Sequence, residues 1–423
     1  MYIKKILKCL GLNSNIQKTL ERFEMISKLI KENRSLLGNE KTFEILKEYI
    51  PLKLYTIPSG LQCFDWKVPK KWLIHRAVLK DMSGNTIIDA KKNILQIVNY
   101  SNSFKGILSY SELLKHLYVD VDIPYRTAYY SDSWGFCLRE DQFKQLKDEQ
   151  YQVDIDTEFV DSAMILGECF IKGRTNKEII LTSYICHPKQ IHDGLSGVQL
   201  LVNLYNKLIK RNNKYTYRIF FIPETIGSIA LLSQNIISPE SVEFCMVVTC
   251  VAHGDKLNYK KTYLGNHTID NIIQANFDVN VHEFKPWGSD ERQFSSPNVR
   301  IPTCLLMRTR WQDFDNYHTG ADNAYSKTTI DKTTDIYFEI LKKYETEKRY
   351  LITHQACEPF LTKYDLYRKV GVPGHSDVSK IINWIIFLSD GKNTISDMVI
   401  KSGFSMNKIQ EYVEILIKRG LIK

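Results

Sequence analysis

Two histidines and several carboxylates stand where apolar runs stop, a pattern suited to holding a metal ion. The first group is Cys186-His187-Pro188-Lys189-Gln190-Ile191-His192-Asp193-Gly194-Leu195-Ser196-Gly197, after the apolar run from Glu178 to Ile185. A second is Asn316-Tyr317-His318-Thr319-Gly320-Ala321-Asp322-Asn323, downstream of the run from Ile301 to Met307. Between them, Phe220-Phe221-Ile222-Pro223-Glu224-Thr225-Ile226-Gly227-Ser228 ends another run in a carboxylate. Imidazole and carboxylate are zinc ligands, and three of them leave a position for water. His187, Asp193 and His318 form such a set. Glu224 is then the candidate general base, and Asp322 is spaced to orient the His318 ring. Tyr317 offers a hydroxyl to an oxyanion.

Four further residues are candidates for touching substrate. His192 precedes the candidate ligand Asp193. Asp290 lies in Gly288-Ser289-Asp290-Glu291-Arg292, and Arg308 and Arg310 follow the strand-like run that ends at Met307. A guanidinium fork matches a substrate carboxylate, although both arginines could simply pair with Glu291 or Asp313. Plainer readings exist for the others too. Asp193 alone reads as a helix N-cap, Glu224 as a charge at a helix N-terminus, and His318 with Asp322 as a structural hydrogen bond. The three motifs together favour metal.

The elements that must position these residues are legible. Strands are expected over Glu178 to Ile185, Tyr217 to Ile222, Glu243 to Val251 and Ile301 to Met307. Helices are expected from about Asp193 to Ile209, Ser228 to Asn235 and Thr329 to Tyr344. This alternation predicts an α/β fold, a mixed and largely parallel sheet flanked by helices. Such sheets bind ligands at the carboxyl ends of their strands. Residues 1 to about 50 read as helical. From Pro58 to about Tyr151 short strands and turns dominate: a hairpin around Met82-Ser83-Gly84-Asn85, a strand over Leu95 to Tyr100, and a helix opened by a Ser109–Glu112 capping box. Beyond Arg349, helical patterns over Ser379 to Ser389, Ile395 to Lys401 and Asn407 to Arg419 have helix-turn-helix spacing. Thr394 with Asp397 has capping-box spacing, and Ser405 is an N-cap candidate.

Cys-His-Pro…Asp-Gly-Leu-Ser-Gly, Pro-Glu-Thr-Ile-Gly-Ser, Gly-Ser-Asp-Glu-Arg-Gln and Tyr-His-Thr-x-Ala-Asp-Asn, in this order, resemble bacterial aminopeptidase-like proteins. These carry a domain of unknown function inserted in a zinc-peptidase fold of the M28 type, and are linked with surface polysaccharide or secondary metabolite biosynthesis. The resemblance runs from roughly Phe23 to the C-terminus. It implies a zinc-peptidase-like domain over 1–57 and 151–350, a β-rich inserted domain over 58–150 and a winged helix over 356–423. It also implies a hydrolase of a peptide or amide bond, with a peptide, amide or amino-sugar substrate. The alternatives are an acyltransferase or cyclase of the same fold, and a non-catalytic binding or regulatory protein. This chain departs from the two-metal pattern. Where the family has a Glu-Glu pair it has Glu224-Thr225. Where a further metal Asp follows the next strand it has Val248-Thr249-Cys250-Val251. One zinc per chain is the economical expectation. His253 and Asp255 lie in that same loop and read as exposed.

Composition narrows the class without naming it. The 423 residues are too many for one ordinary core, and 43% hydrophobic with 25% charged residues describes an ordinary globular protein. A formal charge of +9 permits anionic partners without demanding them. The 9 cysteines form no C-x-x-C pair, and several lie in apolar runs, as reduced thiols of a cytoplasmic protein do. Cys186, beside His187, reads as a buried strand-end thiol. No run is apolar enough to span a membrane, and Lys4 to Leu10 is too broken for a signal peptide. The last helical pattern carries Glu411 and Glu414 on the face a DNA reader would use. DNA binding is therefore not expected despite the winged helix. Whether the chain forms a homo-oligomer stays open.

Overall fold

The computed structural model describes residues 24–366 and 377–423. The expectation of helix over the first 23 residues lies outside them, as does Cys9. Two compact units result, the described parts of Met1–Asn258 with Lys285–Asp335, and Tyr259–Phe284 with Ile336–Lys423.

Six strands of the first unit's main sheet lie in the order Lys53–Pro58, Ala163–Ile171, Thr216–Ile222, Glu178–Tyr184, Val242–Val247 and Thr303–Met307. The last four run parallel to one another, and the first two are antiparallel to their neighbours. The central strand Glu178–Tyr184 is buried along nearly its whole length, as a parallel strand covered on both faces must be. From it the chain passes to one neighbour, Thr216–Ile222, and then crosses to the other, Val242–Val247. The strand that leads to His187 therefore lies at the topological switch point, where an open sheet leaves a crevice.

Helix Ser196–Leu208 follows, and most of its residues are buried. It packs so closely that a Cβ on Gly197 would meet the Val248 carbonyl oxygen at 2.0 Å. Only glycine allows the helix start to approach the next strand's end. The strand expected through Val251 stops at Val247, and the helix expected from Thr329 to Tyr344 runs Lys327–Thr346.

A four-stranded antiparallel sheet is threaded between the first two core strands, in the order Thr86–Asp89, Lys71–Lys80, Gln150–Val160 and Phe104–Ser109. It has a core of its own, including Leu79, Ile88, Phe136, Tyr151 and Val153. The hairpin and the Ser109–Glu112 capping box are present. Leu95 to Tyr100 is not a strand: Ile94–Gln96 is a 3-10 turn capped by the Asn93 side chain. Strand Gln150–Val160 carries this small sheet past the boundary expected at residue 150.

The second unit holds the three expected C-terminal helices, Asp377–Leu388, Ile395–Ser402 and Met406–Lys418. They close on Ile381, Ile382, Ile385, Met398, Ile409, Val413 and Leu416. Strand Arg349–Leu351 pairs antiparallel with Asp390–Thr394, and Leu351 exchanges backbone hydrogen bonds with Lys423 at 2.9 Å. Thr394 and Asp397 form the expected capping box, whereas Ser405 caps by position with no side-chain hydrogen bond. No helix among the described residues is long and apolar enough to cross a membrane.

Candidate metal centre

His187, Asp193 and His318 converge. One ligand atom from each lies within 4.8 Å of the others. His187 follows the switch-point strand, and its carbonyl is gripped by the buried guanidinium of Arg34. Asp193 lies in a kink before the helix, with φ −87° and ψ 81°, and Gly194 takes φ 127°. It does not cap the helix; its carboxylate faces the histidines. Asp193 Oδ2 lies 3.0 Å from His318 Nε2. Burial pushes the His187 imidazole down to about 3, so the ring is neutral, as a ligand must be. Burial alone would raise Asp193. The hydrogen bond with His318 and the nearby imidazoles outweigh it and hold the carboxyl below its usual range. Two neutral-capable imidazoles and an ionised carboxylate make a donor set that fits zinc.

The second oxygen of Asp193 is already taken. Tyr184 donates its hydroxyl to Oδ1, and Tyr184 is in turn 2.7 Å from the Thr249 hydroxyl. Thr225, the other position where a ligand was missing, receives a hydrogen bond from Arg292 at 3.0 Å. Thr249 and Thr225, the two positions without a carboxylate, are thus both held in hydrogen-bond networks.

Glu224 follows strand Thr216–Ile222 and lines the cavity beside the cluster. Ser289 donates to its Oε1 at 2.7 Å, and Oε2 lies 3.6 Å from His187 Nε2. Burial, reinforced by the Asp290 carboxylate, pushes Glu224 well above the usual carboxylate range. Asp290 is buried and accepts from the Thr225 backbone N–H and the Ser228 hydroxyl, each at 2.7 Å. Thr225, Cys250 and His318 all hold positive φ, at 66°, 54° and 54°. Strained backbone of this kind persists only where neighbours over-determine it, as Asp290 and Arg292 do for Thr225.

Several expected roles change. Asp322 does not orient the His318 ring; its two oxygens accept the backbone N–H groups of His192 and Asp193, each at 2.9 Å. His192 is fully buried, stacked on His253 at 3.6 Å, with Nδ1 accepting from Ala252 N–H. It does not line the cavity, and its Nε2 lies 3.2 Å from the Thr309 carbonyl oxygen. Arg308 bonds Thr333 and the Asp255 carbonyl, and Arg310 forks onto Asp313 at 2.5 and 3.0 Å. Neither arginine lines the cavity, and Asp290 supports its wall without being exposed in it. Tyr317 lies flat on His318, with ring centroids 4.0 Å apart and planes at 15°.

The cavity is about 400 Å³. Much of its wall comes from a segment with no motif: Trp66, Tyr125, Arg126, Tyr129 and Tyr130. Tyr125 sets its ring edge-on to both His187 and His318, at 5.1 and 5.4 Å, and its hydroxyl is 2.8 Å from that of Tyr129. The Tyr125 backbone N–H donates to the His318 carbonyl at 2.6 Å, and Gly320 N–H to Ile123 at 2.8 Å. The inserted segment therefore clamps the loop that carries one ligand. There is little signal for this in the sequence, because Ile123-Pro124-Tyr125-Arg126 carries no ligand or catalytic pattern.

Residues 23–347 match the family model described as Domain of unknown function (DUF4910), and residues 348–423 match a winged helix-turn-helix. A protein of Clostridium acetobutylicum, named for polysaccharide biosynthesis and an aminopeptidase-like domain, is 38% identical over 419 residues, 95% of this chain and 96% of its own. A crystal structure from Clostridium acetobutylicum, assigned as a peptidase, is similar with TM-score 0.78 at 36% identity, over 96% of each chain. The zinc aminopeptidase of Bacillus subtilis has TM-score 0.54 at 12% identity, over 77% of this chain and 94% of its own. That likeness establishes a shared aminopeptidase-like fold.

Proposed function

The chain belongs to the family of the domain of unknown function DUF4910, and from that membership we propose that it is a single-metal hydrolase of a peptide or amide bond. One observation carries the reading: Asp193 offers one oxygen to the ligand cluster while Tyr184 holds the other. His187, Asp193 and His318 would hold one zinc ion. Bound there, zinc polarises a carbonyl and lowers the pKa of its water to about 7.

The chain's own residues do the rest. Glu224 takes a proton from the attacking water and returns it to the leaving amine. Its raised carboxyl suits this, because a general base works best with a pKa near the operating pH. Ser289 fixes the Glu224 carboxylate in place. Tyr125 and Tyr317 pack against the histidine rings and fix their planes. The relative's name supports a setting in polysaccharide biosynthesis, where an N-acyl amino sugar is an amide of the right class. Seven buried free cysteines among the described residues fit a reducing compartment such as the cytoplasm.

The test is a screen of the zinc-supplied full chain against dipeptides, aminoacyl amides and N-acyl amino sugars. Amine release that disappears in Glu224→Gln is the expected result. A zinc-loaded protein that hydrolyses none of these classes refutes the proposal.

A further inference from the structure

Charge on the cavity wall is one-sided. Apart from His187 and His318, the carboxyl and guanidinium groups lining it are Glu224, Arg126 and Arg292. Arg292 gives one nitrogen to the Thr225 hydroxyl at 3.0 Å, while its Nε is buried and has no hydrogen-bond partner among the described residues. Arg126 is exposed and spends Nη1 on the Tyr125 carbonyl at 3.3 Å. A third guanidinium, Arg34, lies buried behind His187 and donates to the carbonyls of Leu29 and His187. Among the described residues, no carboxylate is a hydrogen-bond partner of any of the three.

An ammonium group entering this cavity meets two guanidiniums, and the single carboxylate on the wall is already engaged with Ser289. An anion meets the reverse. Guanidinium groups on a cavity wall donate charge-assisted hydrogen bonds to a ligand oxygen. Beside the arginines, the exposed rings of Trp66 and Tyr130 stand edge to face at 5.2 Å and 80°. They put two aromatic rings on the cavity wall, apolar surface against which a substrate ring can pack.

We propose that the cavity takes acidic amides, whose carboxylate or phosphate docks on Arg292 and Arg126 while a ring of the substrate lies against Trp66 and Tyr130. This names the substrate class of the hydrolase site and rests on that reading only for where the scissile bond lies. The anchor is then a negative group, in place of the free amine an aminopeptidase holds.

Calorimetric titration of the zinc-loaded full chain with three non-hydrolysable probes tests it: 3-phenylpropionate, phenyl phosphate and the neutral 3-phenylpropanol. At least one acid should bind roughly tenfold or more tighter than the alcohol, as charge-assisted hydrogen bonds require. The tighter of the two acids tells carboxylate from phosphate. Arg292→Gln should cost the acid about tenfold and leave the alcohol within about twofold. Arg126→Gln, an exposed substitution that does not endanger folding, should weaken the acid in the same sense. Equal binding of acids and alcohol overturns the inference. So does unchanged acid affinity in both variants, because the acid would then be bound through the metal alone. If neutral amides are hydrolysed and acids bind no tighter, this inference fails by itself. If acids bind through the arginines and no amide is cleaved, the anion site stands and the hydrolase reading fails.

Discussion

The carboxylate of Asp322 accepts the backbone N–H of Asp193 at 2.9 Å, so one acid positions the other through the main chain. The arrangement holds a non-helical kink at Asp193 and Gly194 that nothing in regular structure would supply. Burial, with the Asp193 charge adding to it, raises Asp322 to about 7. Asp322→Ala removes the side-chain acceptors of two backbone N–H groups and frees the kink. The expected outcome is zinc affinity lowered about 10–100-fold, with the global fold retained. Competition against a chelator of known affinity measures this, and Asp322→Asn, which keeps one acceptor, should fall between. Unchanged affinity in the alanine variant would show that the loop holds itself.

Zinc content should be close to one ion per chain, because Tyr184 and Arg292 engage the groups that a second ion would need. His187→Ala, Asp193→Ala and His318→Ala should each release it. Elemental analysis of the protein dialysed against excess zinc decides the matter. Two tightly held ions per chain would contradict the hydrogen bonding around Asp193.

Glu224→Gln should retain zinc and lose about 10²–10⁴-fold in kcat, since it removes a proton acceptor and keeps the shape. Ser289→Ala, which frees the carboxylate of its 2.7 Å partner, should lose less, with KM nearly unchanged. If Glu224→Gln comes out of purification without zinc, Glu224 is a ligand and its assignment as base is wrong.

His187 was legible because it stands just past a buried apolar run, Asp193 because it stands just ahead of the next helix, and His318, in a loop well past Met307, from its Tyr-His-Thr motif. The wall was not. Trp66, Tyr125 and Tyr130 lie far from the motifs and are residue types that fill cores everywhere. Their role depends on how the inserted segment returns, at the pairing of Ile123 and Tyr125 with the His318 loop. His192 shows the opposite failure. It stands beside a candidate ligand in sequence, yet it stacks on His253 and its Nδ1 accepts from Ala252 N–H. Arg308 and Arg310 had suitable chemistry and a suitable strand, but Thr333, Asp255 and Asp313 claim them. The positive φ of Thr225, Cys250 and His318 carried no signal, because none of them is glycine or asparagine. The parallel core was readable from alternation alone. The small sheet was harder: the core was expected to begin at residue 151, inside strand Gln150–Val160, whose alternation has the same period in either sheet.

The winged helix should not bind duplex DNA. Its last helix, Met406–Lys418, turns Ile409, Val413 and Leu416 into the core. The exposed face is left with Asn407, Lys408, Gln410, Glu411 and Glu414. Asparagine, glutamine and lysine could read bases, but two glutamates on the same face would stand against the phosphates that supply most non-specific affinity. Gln410 and Glu414 also border a groove shared with Lys343, Glu347 and Lys348, so part of that face already looks onto the protein's own chain. The preceding helix is engaged as well: Asp397 accepts from Asn271 at 2.6 Å, and Ser396 from Asn276 at 3.0 Å. A mobility-shift titration of the full chain at low salt, with random-sequence duplex as competitor, should show no specific complex. Glu411→Lys with Glu414→Lys should then add salt-sensitive, sequence-independent binding, because the acids are what exclude the backbone. A specific shift by the unmodified chain, surviving competitor and weakening with salt, would assign the helix to DNA after all.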